Sequence, residues 1–167
     1  PLWPSPTILL VRGASASAAI WAPVTRKLLA RGHTVLGPPF YNRSLAEDGA
    51  SVRAFAEHVD GPVVLAGHSY GGAVITVAGE AENVVGLVFV AGYVLEEGES
   101  LGQLQGGFPD SDLAANLVYT PYPIAGAEDG TDVSVKIDAF PPVFAEGVDP
   151  KTAEVLAVSQ RPLSGAA

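Results

Sequence analysis

Residues Val63-Val64-Leu65-Ala66-Gly67-His68-Ser69-Tyr70-Gly71-Gly72 are the stretch of this chain best suited to covalent chemistry. An apolar run leads into a serine with glycine two positions before it and two after, and Gly72-Ala73-Val74-Ile75 continues beyond. The pattern predicts a buried strand, a sharp turn with Ser69 at its apex, and a helix start. The glycines allow two backbones to pass closely at the turn. The hydroxyl is lifted out of the sheet over a helix N-terminus, whose amides can stabilise a developing oxyanion. A chance serine in an ordinary strand–turn–helix is the competing reading, and the apolar context on both sides weighs against it.

Such a serine needs a histidine base and usually an acid, in the chain order serine, acid, histidine. The three histidines are His33, His58 and His68, and none follows Ser69. His68 adjoins the serine, but neighbours on such a turn point apart, so a structural role under the sheet is expected for it. The sequence offers a nucleophile and no recognisable base.

The elements around the turn alternate. Thr7 to Val11 reads as an apolar strand, followed by the small-residue loop Gly13-Ala14-Ser15. Trp21 to Arg31 reads as a helix with Pro23 in its first turn, Gly32 as its stop, and Val24, Leu28 and Leu29 as its buried stripe. His33 to Leu36 is the expected second strand. Ser44-Leu45-Ala46-Glu47 fits a capping box opening a helix with Val52, Phe55, Ala56 and Val59 on one face. The helix after Ser69 is expected from about Tyr70 to Ala81, and a fourth strand from Asn83 to Val90. Continuous apolar strands separated by helices mean a doubly wound, mostly parallel α/β sheet, with the strand before Ser69 central. After Gly92 the alternation fails. Residues 96–107 are acidic and glycine-rich, residues 108–150 carry many prolines, and Lys151 to Ser159 reads as a short helix. Residues 1–95 therefore read as the core, and residues 96–167 as a cap or insertion with no further strand.

Composition narrows the rest. With 167 residues, 48% hydrophobic and 16% charged, one globular domain is expected. The net charge of −9 disfavours nucleic acid and anionic membranes as partners. The chain has no cysteine, hence no disulfide or thiolate chemistry, and no clustered metal ligands. It has no phosphate-binding or dinucleotide motif, so a cofactor-free reaction is expected. No apolar run reaches membrane-spanning length, and Pro1-Leu2-Trp3-Pro4 lacks a charged leader. A cytoplasmic protein is expected, although the missing initiator methionine leaves open a processed N-terminus and a removed export signal.

Val11-Arg12-Gly13-Ala14, Trp21-Ala22-Pro23, Gly67 to Gly72 and Glu97-Gly98-Glu99 together resemble the small bacterial esterase-like family of α/β-hydrolases. Phe140 to Arg161-Pro162-Leu163 resembles that family's cap helices and the Gln-Arg-Pro segment after them. The resemblance implies an α/β-hydrolase fold with a partial cap and a serine esterase acting on a small ester-like substrate. Two departures stand out. Arg12 replaces the histidine usual before the loop glycine. Members of the family also continue past the cap into two further strands carrying the acid and the histidine, so the chain resembles the front two-thirds of such an enzyme.

On this resemblance Ser69 is the nucleophile, and the Tyr70 N–H is one oxyanion donor. The Ala14 N–H is the second donor, with Ser15 the other candidate. Tyr70's side chain lines the pocket or simply packs. Arg12 is a possible pocket residue for an anionic group, a salt bridge or solvated position being the expected alternative. Glu96, Glu97 and Glu99 are expected to form a solvated acidic loop. Two other functions stay open: a non-catalytic hydrolase-fold binding protein, and a hydroxynitrile-lyase-like enzyme using the same turn. The fourth strand's outer edge is expected to be unpaired. That points to a second chain carrying the missing strands, or to a homo-oligomer.

Overall fold

The computed structural model describes residues 4–96 and 98–167. Four strands, β1 (Thr7–Val11), β2 (Val35–Leu36), β3 (Val63–His68) and β4 (Val84–Val90), form a sheet in the order β2-β1-β3-β4. All three pairings are parallel, with Leu9 beside Leu65 and Leu65 beside Leu87. The apolar runs thus form the expected strands, and β3 is internal. The second strand is shorter than expected, holding only Val35 and Leu36.

Helices cover both faces. On one face α2 (Leu45–Glu57) and α3 (Tyr70–Ala78) pack Val52, Ala56, Val74 and Ile75 onto Leu9, Val11, Val63 and Leu65. Ser44 caps α2 by accepting from the Glu47 N–H, which satisfies one orphan donor of its first turn. The helix after Ser69 ends at Ala78, three residues earlier than expected. On the other face a single 3-10 turn, Ala18–Trp21, leads into α1 (Ala22–Ala30). The expected stripe of α1 is only partly buried. Leu28 packs near Leu10 and Trp21, while Val24 and Leu29 are exposed. The helical period of α1 is right, but no described element covers its outer flank.

Residues beyond β4 depart from the strandless cap expected there. After α4 (Leu101–Gln105), β5 (Leu117–Tyr122) and β6 (Gly130–Val135) form an antiparallel hairpin. After α5 (Phe140–Phe144) and α6 (Pro150–Val158), the short β7 (Leu163–Ser164) pairs with β6. Pro121 is tolerated because β5 is an edge strand of this small sheet. Val135, Phe140, Ala145, Ala153 and Ala157 form a second core beneath it.

The two sheets are tied together near the C-terminal ends of the parallel strands. Asn42 Nδ2 donates to the carbonyls of Arg161 and Pro162, both at 3.2 Å. The Ser164 N–H donates to the Asn42 carbonyl at 2.8 Å. The Arg43 guanidinium pairs with Asp132 at 2.9 Å and lies over the Tyr122 ring.

Candidate active site

Ser69 stands between β3 and α3 with φ 54° and ψ −122°. A non-glycine residue in that region is strained and is held there only by its surroundings. Three backbone bonds hold it. The Ser69 N–H donates to the Ala91 carbonyl, and the Ser69 carbonyl accepts from the Gly72 and Tyr93 N–H groups at 2.9 and 3.1 Å. The loop after β4 therefore clamps the turn from one side.

The glycines of the motif work by close approach. A Cβ on Gly67 would collide with the Gly71 carbonyl, and one on Gly71 with the carbonyls of Val11 and Arg12. Gly71→Ala should therefore push α3 off β1. A loss of roughly 3 kcal/mol is expected, at the upper end for overpacking, and urea unfolding would measure it.

From the other side comes the loop after β1. A Cβ on Gly13 would lie 2.9 Å from Ser69 Cβ, so this loop rests directly on the serine. Within it the two candidate donors differ. The Ser15 N–H donates to the Arg161 carbonyl at 3.0 Å and is not free. The Ala14 and Tyr70 N–H groups have no acceptor among the described residues. The Ser69 hydroxyl likewise has no hydrogen-bond partner among them.

No histidine hydrogen-bonds the Ser69 hydroxyl. His33 and His58 precede β2 and β3, at the opposite end of the parallel strands, and His58 Nδ1 meets the Ala54 carbonyl at 2.7 Å. His68 packs edge-on against Trp21, with ring centroids 6.4 Å apart. Its Nδ1 is buried without a hydrogen-bond partner among the described residues. Burial lowers its pKa and favours the neutral ring.

Of the two readings for the Tyr70 side chain, packing is the one observed: it is 1% exposed and sits in the core. Its hydroxyl donates to Asp48 Oδ2 at 2.8 Å. Burial first, and then this hydrogen bond, raises its pKa far above the ordinary range. Arg12 is neither salt-bridged nor solvated. It is 8% exposed, donates to the Phe40 carbonyl at 2.7 Å and to Asn42 Oδ1 at 3.0 Å, and lies over the Phe40 ring. It follows β1 directly, where sheet, loop and β7 converge, so carbonyls rather than carboxylates surround it.

Asp48 is the residue that sequence reasoning overlooked. It is 1% exposed and accepts from the Tyr41 N–H, the Asn42 N–H and the Tyr70 hydroxyl. The available signal was its position four residues before Val52, on the buried stripe of α2. Of the acidic loop, the Glu96 N–H donates to Glu99 Oε2 at 2.8 Å, and both residues are exposed. Glu97 lies outside the described residues, as do Pro1 to Trp3.

Known proteins share this frame. Polyneuridine aldehyde esterase superposes with a TM-score of 0.80 at 19% identity, covering 96% of this chain and 70% of that one. Tomato methylketone synthase I, solved with 2-tridecanone, gives 0.77 at 14% identity over 99% of this chain and 70% of that one. An extracellular α/β-hydrolase from a Paenibacillus species gives 0.71 at 20% identity, over 95% and 66%. At these identities the likeness is one of fold. No curated protein matches the chain. A sequence profile described as the alpha/beta hydrolase family matches residues 8–167, nearly the whole chain, which therefore belongs to that family.

Proposed function

We propose that Ser69 is the nucleophile of a hydrolase acting on a small carboxylic ester. The carrying observation is the strained Ser69 backbone beside two unengaged N–H groups, those of Tyr70 and Ala14. Ser69 Oγ bonds to the acyl carbon and its proton passes to a base. The carbonyl electron pair moves onto oxygen, facing the two donors. Collapse breaks the bond to the alkoxide, which leaves with a proton as the alcohol. Water then releases the acid by the same steps. Esterase and synthase names among the structural neighbours agree with acyl chemistry and do not fix a substrate.

A reactive fluorophosphonate tests the nucleophile. Slow labelling at Ser69, read by intact mass and peptide mapping, is expected, and Ser69→Ala should abolish it. Labelling unchanged in Ser69→Ala would refute the assignment.

The base must come from elsewhere than the three histidines described above. β4 forms the edge of the parallel sheet, and Val88 and Val90 on its α1-side face are 47% and 44% exposed. Open edges of this kind favour strand addition. We propose that a further strand-bearing segment, as a second chain or another copy, pairs there. Light scattering should show association. A strictly monomeric, non-aggregating solution with no added segment would count against the pairing.

A second reading is favoured by the Ser69 hydroxyl having no partner among the described residues. The fold would then bind an ester-like molecule without turning it over. Saturable binding of an ester that persists without hydrolysis, even when a segment completing the sheet is supplied, would favour it.

A further inference from the structure

At the β2 end of the sheet, away from the β4 edge, lies a cavity of about 630 Å³. Its apolar wall includes Trp21, Leu36, Pro38 and Pro39, and its charged lining consists of Arg12 and Arg161. Among the described residues no aspartate or glutamate lines it, in a chain with 18 acidic and 9 basic residues. Ser69 does not line it either.

Among the described residues neither guanidinium has an ion-pair partner. The ion pairs among the described residues are Arg43–Asp132, Arg53–Glu57 and Arg53–Glu80, and none involves Arg12 or Arg161. The acceptors of Arg12 are neutral, namely the Phe40 carbonyl and the Asn42 amide. Asp48 reaches it only through Asn42, which donates its N–H to Asp48 and accepts from Arg12. Burial lowers the Arg12 pKa, the charge of Arg161 lowers it further, and Asp48 opposes both. A buried cation beside a second cation is costly without an anion to share. Arginine's fork matches the two oxygens of a carboxylate.

We infer that this cavity is a binding site for a small organic carboxylate. Its oxygens are held by Arg161 and the exposed part of Arg12, and its apolar body lies against Trp21, Leu36 and the Pro38-Pro39 turn. The site is separate from Ser69 and does not depend on the proposed esterase reading.

Cyclohexanecarboxylate tests this against its neutral amide, cyclohexanecarboxamide, by calorimetric titration and amide NMR of the full chain. Saturable binding of the acid at about 1 mM or tighter is expected. The amide should bind at least about tenfold more weakly, and added salt should weaken the acid alone. Shifted amides should cluster at residues 17–21 and 36–41. Arg161→Gln should weaken the acid about tenfold. Arg161 contributes to the fold through its backbone carbonyl, which that substitution retains. Ser69→Ala should leave binding unchanged. Equal binding of acid and amide, no saturable binding, or an unaffected Arg161→Gln would overturn the proposal. Shifts centred on Ala14 and Tyr70 would place the anion at Ser69 and overturn it as well.

Discussion

Purified alone, the 167-residue chain should hydrolyse p-nitrophenyl acetate at a rate on the order of 10⁶ below that of a complete serine–histidine–acid enzyme. The reason is geometric. Two histidines stand at the far end of the parallel strands, and the third is packed against Trp21. The turn and its two unengaged amides remain, so a small residual rate above that of water is expected. Supplying the segment that pairs with β4 should restore turnover, and Ser69→Ala should remove it again. If the chain alone turned over at an ordinary enzymatic rate, and Ser69→Ala stopped it, one of these histidines would have to reach Ser69 in a rearranged loop.

Asp48→Ala is expected to be the most damaging single substitution for stability, at about 3–5 kcal/mol. One buried carboxylate satisfies two loop amides and the Tyr70 hydroxyl. Its removal leaves two buried donors, the Asn42 N–H and the Tyr70 hydroxyl, unpaired. Tyr70→Phe deletes one of those bonds together with its donor, so it should cost only about 1–2 kcal/mol. Chemical denaturation of both variants checks the pair, and equal losses would mean that Asp48 acts through Tyr70 alone.

The parallel sheet and the turn at Ser69 were legible because each rests on local pattern. Apolar runs marked β1, β3 and β4, and glycine spacing marked the turn. The hairpin of β5 and β6 was harder to see. Prolines and acidic residues hid the alternation in Thr131-Asp132-Val133-Ser134-Val135, although its period of two was present. The environment of Arg12 was not legible at all, because its partners Phe40 and Asn42 lie 28 and 30 positions away. Ser15 lost its role as a donor for a similar reason, since its acceptor is the carbonyl of Arg161. The stripe of α1 was correct in period, and its exposure depends on what packs beside it. Such facts belong to tertiary neighbours and not to any window of sequence.

The bonds from Ser15 and Asn42 to Arg161 and Pro162 have a consequence for the order of folding. They join the loops after β1 and β2 to residues 119 to 146 positions later. Contacts of such separation form late, because a long loop must close before they are rewarded. During synthesis the parallel strands β1 to β4 can assemble once residue 90 has emerged. The loop over Ser69 cannot take its final shape until residues 161–164 arrive and dock on Asn42. A nascent chain halted near residue 140 would thus hold a formed sheet and an unset loop. Hydrogen exchange should find the Ser15 amide protected only after the last segment is made, while the Ala14 amide stays unprotected.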